Sequence, residues 1–146
     1  MAFGFEGKGL IVDKPVKVYI TDPNEDGNVP LITKIDDKEY RAYVEVYSAD
    51  SKHATAWQQE LEDKVRDNPG INRPNVQERN KYSAEYLAHM TTGWCLLSPE
   101  GDLLDVPFSQ EAALVLYNSN EWIWFRNQVA LAVASRRNFI RGRKIA

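Results

Sequence analysis

The sequence predicts an α+β fold, an N-terminal antiparallel β-meander of about three strands followed by about four α-helices. Three observations carry this expectation. Apolar and polar residues alternate between Val16 and Tyr47, the period of half-buried strands. After Ser48 the period lengthens to that of a helix, with Trp57, Leu61 and Val65 on one stripe. Helix-start signals then recur at Ser83, Ser109 and Asn120.

Taken in order, Val16, Val18 and Ile20 face one way and Lys17, Tyr19 and Thr21 the other, giving the first strand. Asp22-Pro23-Asn24-Glu25-Asp26-Gly27-Asn28 is loop chemistry. Leu31–Ile35 reads as the second strand and Glu39–Tyr47 as the third, with Tyr40, Ala42, Val44 and Val46 on its inner face. The short connections favour antiparallel pairing. Asp50 or Ser51 caps a helix that runs to about Arg66, and Asp67-Asn68-Pro69-Gly70 stops it. Residues 68–81, with their prolines and asparagines, read as a mobile linker.

Ser83 reads as the N-cap of a helix running to Gly93-Trp94, with Tyr82 and Leu87 placed for a hydrophobic staple. Pro99-Glu100-Gly101-Asp102 is a tight turn. Pro107-Phe108 leads into a helix capped by Ser109, whose inner stripe is Ala113, Leu116 and Tyr117. Asn118-Ser119-Asn120 ends that helix and caps the last one, Glu121 to about Phe139. The 146 residues fit one domain, 1–146. Its parts are β-rich (1–49), a helix (50–67), the linker (68–81), a helical part (82–140) and a basic tail (141–146).

Hydrophobic content of 43% and charged content of 27% are ordinary for a globular chain. No apolar run is long enough to span a bilayer, so no membrane partner is expected. Met1-Ala2-Phe3-Gly4-Phe5-Glu6-Gly7 has no signal-peptide pattern, and the single cysteine, Cys95, suits a reducing cytoplasm. All 21 acids lie in residues 1–125, whereas residues 126–146 hold Arg126, Arg136, Arg137, Arg141, Arg143 and Lys144 and no acid. An acidic body with a basic end allows self-association or contact with a polyanion.

On the last helix, Trp122, Phe125, Val129, Ala132 and Val133 fall in one sector, the expected core face. Trp124 and Leu131 fall nearly opposite, among Asn127, Gln128 and Ser135. Either this pair marks a partner site, for tryptophan is enriched in binding hot spots, or the helix is sandwiched and both faces are core. The partner-binding candidates are Trp124, Leu131, Gln128, Arg136, Arg137 and Arg141. The basic end also suits a helix dipole, and the acidic body disfavours nucleic acid.

Asp22-x-Asn24-x-Asp26-Gly27 copies the first half of a calcium loop, but the twelfth position is Thr33, so a hairpin loop is the better reading. His53, His89 and Cys95 lack zinc-ligand spacing, so no metal and no cofactor is expected. His53 reads as a first-turn surface residue and Cys95 as buried and inert. Tyr43 and Tyr47 beside Arg41 offer aromatics on a sheet face, for which cross-strand packing is the economical reading. No nucleophile–base pair and no phosphate loop stands out, so no catalytic residue is named and a non-enzyme is expected.

One stretch resembles a known family. Leu87-Ala88-His89-Met90-Thr91-Thr92-Gly93-Trp94, then Pro99-Glu100-Gly101, then Val106-Pro107-Phe108-Ser109-Gln110-Glu111-Ala112-Ala113 and Leu116 look like the tail assembly chaperones of long-tailed bacteriophages. Gly93 departs from the pattern, since an acid often precedes that tryptophan. The motif residues are Trp94, Pro107, Phe108, Ser109, Trp122 and Phe125. The resemblance implies a non-enzymatic protein that binds the tape measure protein and tail tube protein during tail morphogenesis. It would work in the cytoplasm of the infected bacterial host and be absent from the mature virion. The alternatives are a minor tail or connector protein retained in the virion, or a nucleic-acid-binding accessory protein.

Overall fold

A computed structural model describes residue 4 and residues 9–67 and 76–140, apart from the side chains of residues 65 and 76–80. The expected mobile character of residues 68–75 and the basic tail with Arg141 lie outside the described residues. The fold is α+β, an antiparallel strand region followed by four helices, with two further strands between the second and third helices.

The strands β1 (Val16–Tyr19), β2 (Ile32–Ile35), β3 (Lys38–Arg41) and β4 (Tyr43–Val46) come first. Helix α1 (Lys52–Asp67) and helix α2 (Val76–Met90) follow, then β5 (Thr91–Leu97) and β6 (Leu103–Leu104). Helices α3 (Gln110–Asn118) and α4 (Ile123–Ala134) complete the core, with a 3-10 turn before and after α4.

The strand expected over Glu39–Tyr47 changes partner in its middle. β3 pairs with β2 in a separate hairpin, while β4 lies between β1 and β5 in a sheet of order β1-β4-β5-β6. The switch occurs at a ring of three backbone hydrogen bonds. Ile20 N donates to Ala42 O at 2.9 Å, Ala42 N to Leu31 O at 3.0 Å, and Leu31 N to Ile20 O at 3.2 Å. All three residues are buried, so their peptide groups have to find partners in protein. The chain leaves the sheet at Ile20, returns at Leu31, makes the hairpin and re-enters at Ala42. Consecutive strands therefore do not pair as a simple meander.

The largest difference from expectation lies between residues 76 and 97. Ser83 sits inside α2 rather than at its N-cap, and residues 76–81 are helix rather than linker. Tertiary packing explains this. Ala84, Leu87 and Ala88, at helical spacing, are all buried in the common core, so the helix extends N-terminally of its apolar stripe. Thr91–Leu97 is a strand, not the end of the helix. Its β-branched and aromatic residues suit a strand, and Trp94 and Leu96 alternate inward, with Trp94 opposite Val44 of β4 and Leu96 opposite Leu104 of β6.

Helix α2 passes into β5 with no connecting loop. The last carbonyls of a helix lack intrahelical donors, and here three of them are captured from outside. Leu87 O accepts from Thr91 Oγ1 at 2.7 Å, His89 O from His53 Nε2 at 2.6 Å, and Met90 O from Tyr47 N at 2.9 Å. Because the Thr91 hydroxyl donates to Leu87, it accepts from the Tyr117 hydroxyl, 2.8 Å away on α3. Tyr117 is fully buried, and burial pushes its phenol well above the ordinary tyrosine range.

Other starts and stops follow their chemistry. Ser51 Oγ accepts from Ala54 N at 3.1 Å, so Ser51 rather than Asp50 caps α1. Ser109 Oγ accepts from Ala112 N at 3.0 Å and caps α3 as expected. Gly101, at φ 90°, makes the β5–β6 turn. Asn120 lies in a 3-10 turn and caps nothing by its side chain, and the last helix stops at Ser135, where the backbone turns extended.

Thr91→Val keeps the shape of the side chain and removes both of its hydrogen bonds. Leu87 O and the Tyr117 hydroxyl are then buried without partners. Urea denaturation should show a loss of about 2–3 kcal/mol, the cost of orphaning buried polar groups. A change within experimental scatter would mean that the junction does not depend on this relay.

Candidate functional site

The expected motif residues converge on one place. Trp94 of β5 points inward and is almost fully buried. Its Nε1 donates to Val106 O at 2.8 Å, which fixes the segment after β6 against the sheet. Its ring meets Phe108 edge-on, with centroids 5.1 Å apart. Pro107 and Phe108 thereby aim the chain into Ser109, which caps α3. Beyond α3, Trp122 packs edge-on against the buried Phe125 at 5.8 Å.

Between these parts runs a groove of about 550 Å³. Trp94 and Leu96 supply its floor, Leu104 and Val106 one side, α3 the other, and Trp122 one end. Val115 on α3 is 68% exposed and Val106 43%, so the groove presents apolar side chains to solvent. Its polar members are Ser109, Glu111 and Ser119. A concave, largely apolar strip with a few polar groups is the form of a docking site for a peptide or helix. β6, two residues long, is the edge of the sheet and borders this groove.

The residues of the last helix named from the sequence are distributed differently. Trp124 and Leu131 share a face, but not an environment. Trp124 is half-buried, stacked on Trp122 at 5.4 Å and edge-on to Phe125 at 5.8 Å. Its Nε1 is shut away from solvent without a hydrogen-bond partner among the described residues. Leu131 is 71% exposed. Gln128 is occupied on β1's side: its Oε1 accepts from Thr21 N at 2.9 Å, and its Nε2 donates to Thr21 O at 2.9 Å. Arg136 forms a two-pronged pair with Asp50, and the guanidinium hydrogen bond holds that carboxyl below the usual carboxylate range. Arg137 is exposed. Of the expected core face, Phe125, Val129, Ala132 and Val133 are buried, whereas Trp122 precedes the helix in a 3-10 turn and is half-buried.

Comparison with family models, with curated proteins and with solved structures returns no match.

A second concavity, of about 600 Å³, lies on the other face of the sheet. Cross-strand register places Tyr19 opposite Tyr43 and Tyr43 opposite Cys95 on that face. β3 borders it with Lys38, Tyr40 and Arg41. Burial pushes the Cys95 thiol up, and Lys17 opposes this weakly, so the half-buried thiol is a poor nucleophile near neutrality. Tyr47, expected beside Tyr43 and Arg41, goes elsewhere. Tyr47 stacks on His53 at 4.3 Å, and His53 stacks on His89 at 3.9 Å. His53 is therefore half-buried rather than a surface residue. Each histidine's Nε2 meets the other's backbone carbonyl, at 2.6 and 2.9 Å, which assigns the ring proton to Nε2 in both. Nothing in the sequence spacing brings residues 36 positions apart into that exchange.

In the expected calcium-like loop, Asp22 Oδ1 accepts from Asn24 N at 2.8 Å, and Asn24 Nδ2 donates to Pro99 O at 2.9 Å. Thr21 bridges Pro30, so the segment closes as a hairpin loop. Among the described residues, no group of three His, Cys, Asp or Glu is placed to share a metal ion.

Trp94→Phe keeps one aromatic ring but removes the indole's nitrogen-bearing part, and with it the bond to Val106. A stability loss of about 2–4 kcal/mol is expected, from the lost hydrogen bond and the space the smaller ring leaves. Amide exchange should rise selectively in residues 103–108, because that bond anchors them. Unchanged exchange there would show that Phe108 packing alone holds the groove wall.

Proposed function

We propose that this protein is a non-enzymatic assembly chaperone of a bacteriophage tail, which holds an apolar stretch of the tape measure protein and helps recruit tail tube subunits. The observation that carries the reading is the groove between α3 and β6. Of the residues that carry the family resemblance, Trp94 and Ser109 line that groove, and Phe108 packs edge-on against Trp94. A tape measure client made of long amphipathic helices presents apolar ridges at helical spacing. A groove floored by Trp94 and Leu96 and walled by Val106 and Val115 suits such a ridge.

The docking work moves accordingly from Trp124 to the groove. Trp124 stiffens the end of the groove by stacking on Trp122. Leu131 remains an exposed apolar contact point on a neighbouring face. Repeated binding along an extended client would raise the residence time of each copy without new contacts.

Co-expression with the adjacent tape measure protein tests this. The client should stay soluble with the wild-type chain and aggregate with Val115→Asp, a change at an exposed position that leaves circular dichroism unaltered. The measured affinity should fall at least about tenfold, because a buried charge in an apolar contact costs more than 1.4 kcal/mol. Equal client solubility with and without the protein would sink the reading. Finding the protein in purified virions by mass spectrometry would transfer it to the minor tail or connector class.

A further inference from the structure

The second concavity carries three cations arranged in an unusual way. Lys17 Nζ lies 4.2 Å from the centre of the Tyr43 ring, Arg41 Cζ 4.1 Å from Tyr19, and Lys38 Nζ 5.1 Å from Tyr40. Tyr19 and Tyr43 meet edge-on at 6.4 Å, so the rings brace one another. Carboxylates are near. Glu39 and Asp105 line the same cleft, and Glu45 faces Lys17 across the strands. Yet none of the three cations forms an ion pair among the described residues. Glu45 instead accepts from Thr92 Oγ1 at 2.7 Å. The cations are parked on aromatic faces, which holds their charge in place while leaving their N–H donors unspent on carboxylates. Arg41 Nε is moreover hidden from solvent and has no hydrogen-bond partner among the described residues.

The cleft adjoins the docking groove across β5 and β6. Trp94, Leu96, Leu104 and Val106 line both. A segment seated along the apolar groove and running past β6 meets the three cations next. Bases of a nucleic acid would find the tyrosine faces already occupied by those cations, whereas a carboxylate needs only the free N–H groups. The apolar residues shared between the two spaces suit a polypeptide carrying both kinds of side chain.

We propose that the Lys17–Lys38–Arg41 cleft reads carboxylates, so that the segment bound in the groove is an amphipathic peptide whose apolar ridge is followed by aspartate or glutamate. This rests on the docking reading above and adds the chemistry of the partner. The apolar groove supplies contact area. The cleft supplies direction, because only one orientation of the segment brings its acidic end to the cations.

The test uses three synthetic amphipathic peptides with leucines at helical spacing. One ends in glutamates, one in glutamines at the same positions, and one in lysines. Titration calorimetry of the full chain should rank glutamate over glutamine by about tenfold, with lysine weakest, as a charge contact worth about 1.4 kcal/mol requires. The difference should shrink between about 50 mM and about 500 mM salt, since the cleft is open to solvent. Lys17 and Lys38 are both exposed, so Lys17→Glu/Lys38→Glu should fold normally and reverse the ranking, binding the lysine peptide best. That charge exchange is a result no purely apolar groove gives. Equal binding of all three peptides, lost in Val115→Asp, would overturn the carboxylate reading and leave the groove standing. Binding of none would remove both. Tighter binding of a single-stranded oligonucleotide than of the glutamate peptide, abolished in the double variant, would assign the cleft to phosphates and overturn the proposal.

Discussion

Helix α2 runs straight into the strand at the centre of the sheet, and the three captured carbonyls at its end are the constraint on which the rest of the structure depends. A helix end buried among other elements leaves acceptors that water does not reach. Here the donors come from three different places: the first residue of β5, a histidine on α1 and the backbone after β4. Satisfying the helix end therefore fixes α1, the sheet and α2 relative to each other in one step. Tyr117 extends the same chain of donors to α3, and Arg126 on α4 donates to Tyr117 O at 3.2 Å. Position of the groove follows from this, since Trp94 and Leu96 lie on the strand that begins at Thr91.

Architecture beyond the junction divides into two jobs. One face of the sheet is closed by helices, and its aromatic and aliphatic side chains form the core. The other face is dressed by tyrosines and cations and overhung by the β2–β3 hairpin. The edge strand β6 sits where the two faces meet. A two-residue edge strand offers little backbone for unwanted pairing, yet its Leu104 lines both concavities.

Local chemistry in the sequence was enough for much of this. Ser109 capping, the Gly101 turn, the inward alternation of Ala42, Val44 and Val46 and the core stripe of α4 are all decided by residues within a few positions of each other. What escaped is non-local. Thr91–Trp94 reads as a helix end when only Ser83 and Leu87 are weighed, because β4, the partner of the strand it opens, lies far earlier in the chain. The strand after Lys38 reads as continuous because nothing in Arg41-Ala42-Tyr43 announces a change of partner. The histidine exchange, the Trp94–Val106 bond and the cation–tyrosine cleft depend on the same pairings. Trp94 and Phe108 were visible as anchors, but the hollow between them and α3 is a property of packing, not of either residue.

The stacking of Trp122 on Trp124 has an optical consequence. Indoles held this close couple their most intense electronic transitions, so this pair should add a signed doublet to the far-ultraviolet circular dichroism. Trp94, with its Nε1 hydrogen-bonded and its ring nearly dry, sits on the floor of the same groove that Trp122 closes. The remaining tryptophan, Trp57, lies on α1 against Tyr86, away from that surface. Two of the four indoles thus line one hollow and a third stacks on one of them, which gives the protein a native optical signature for whatever fills it.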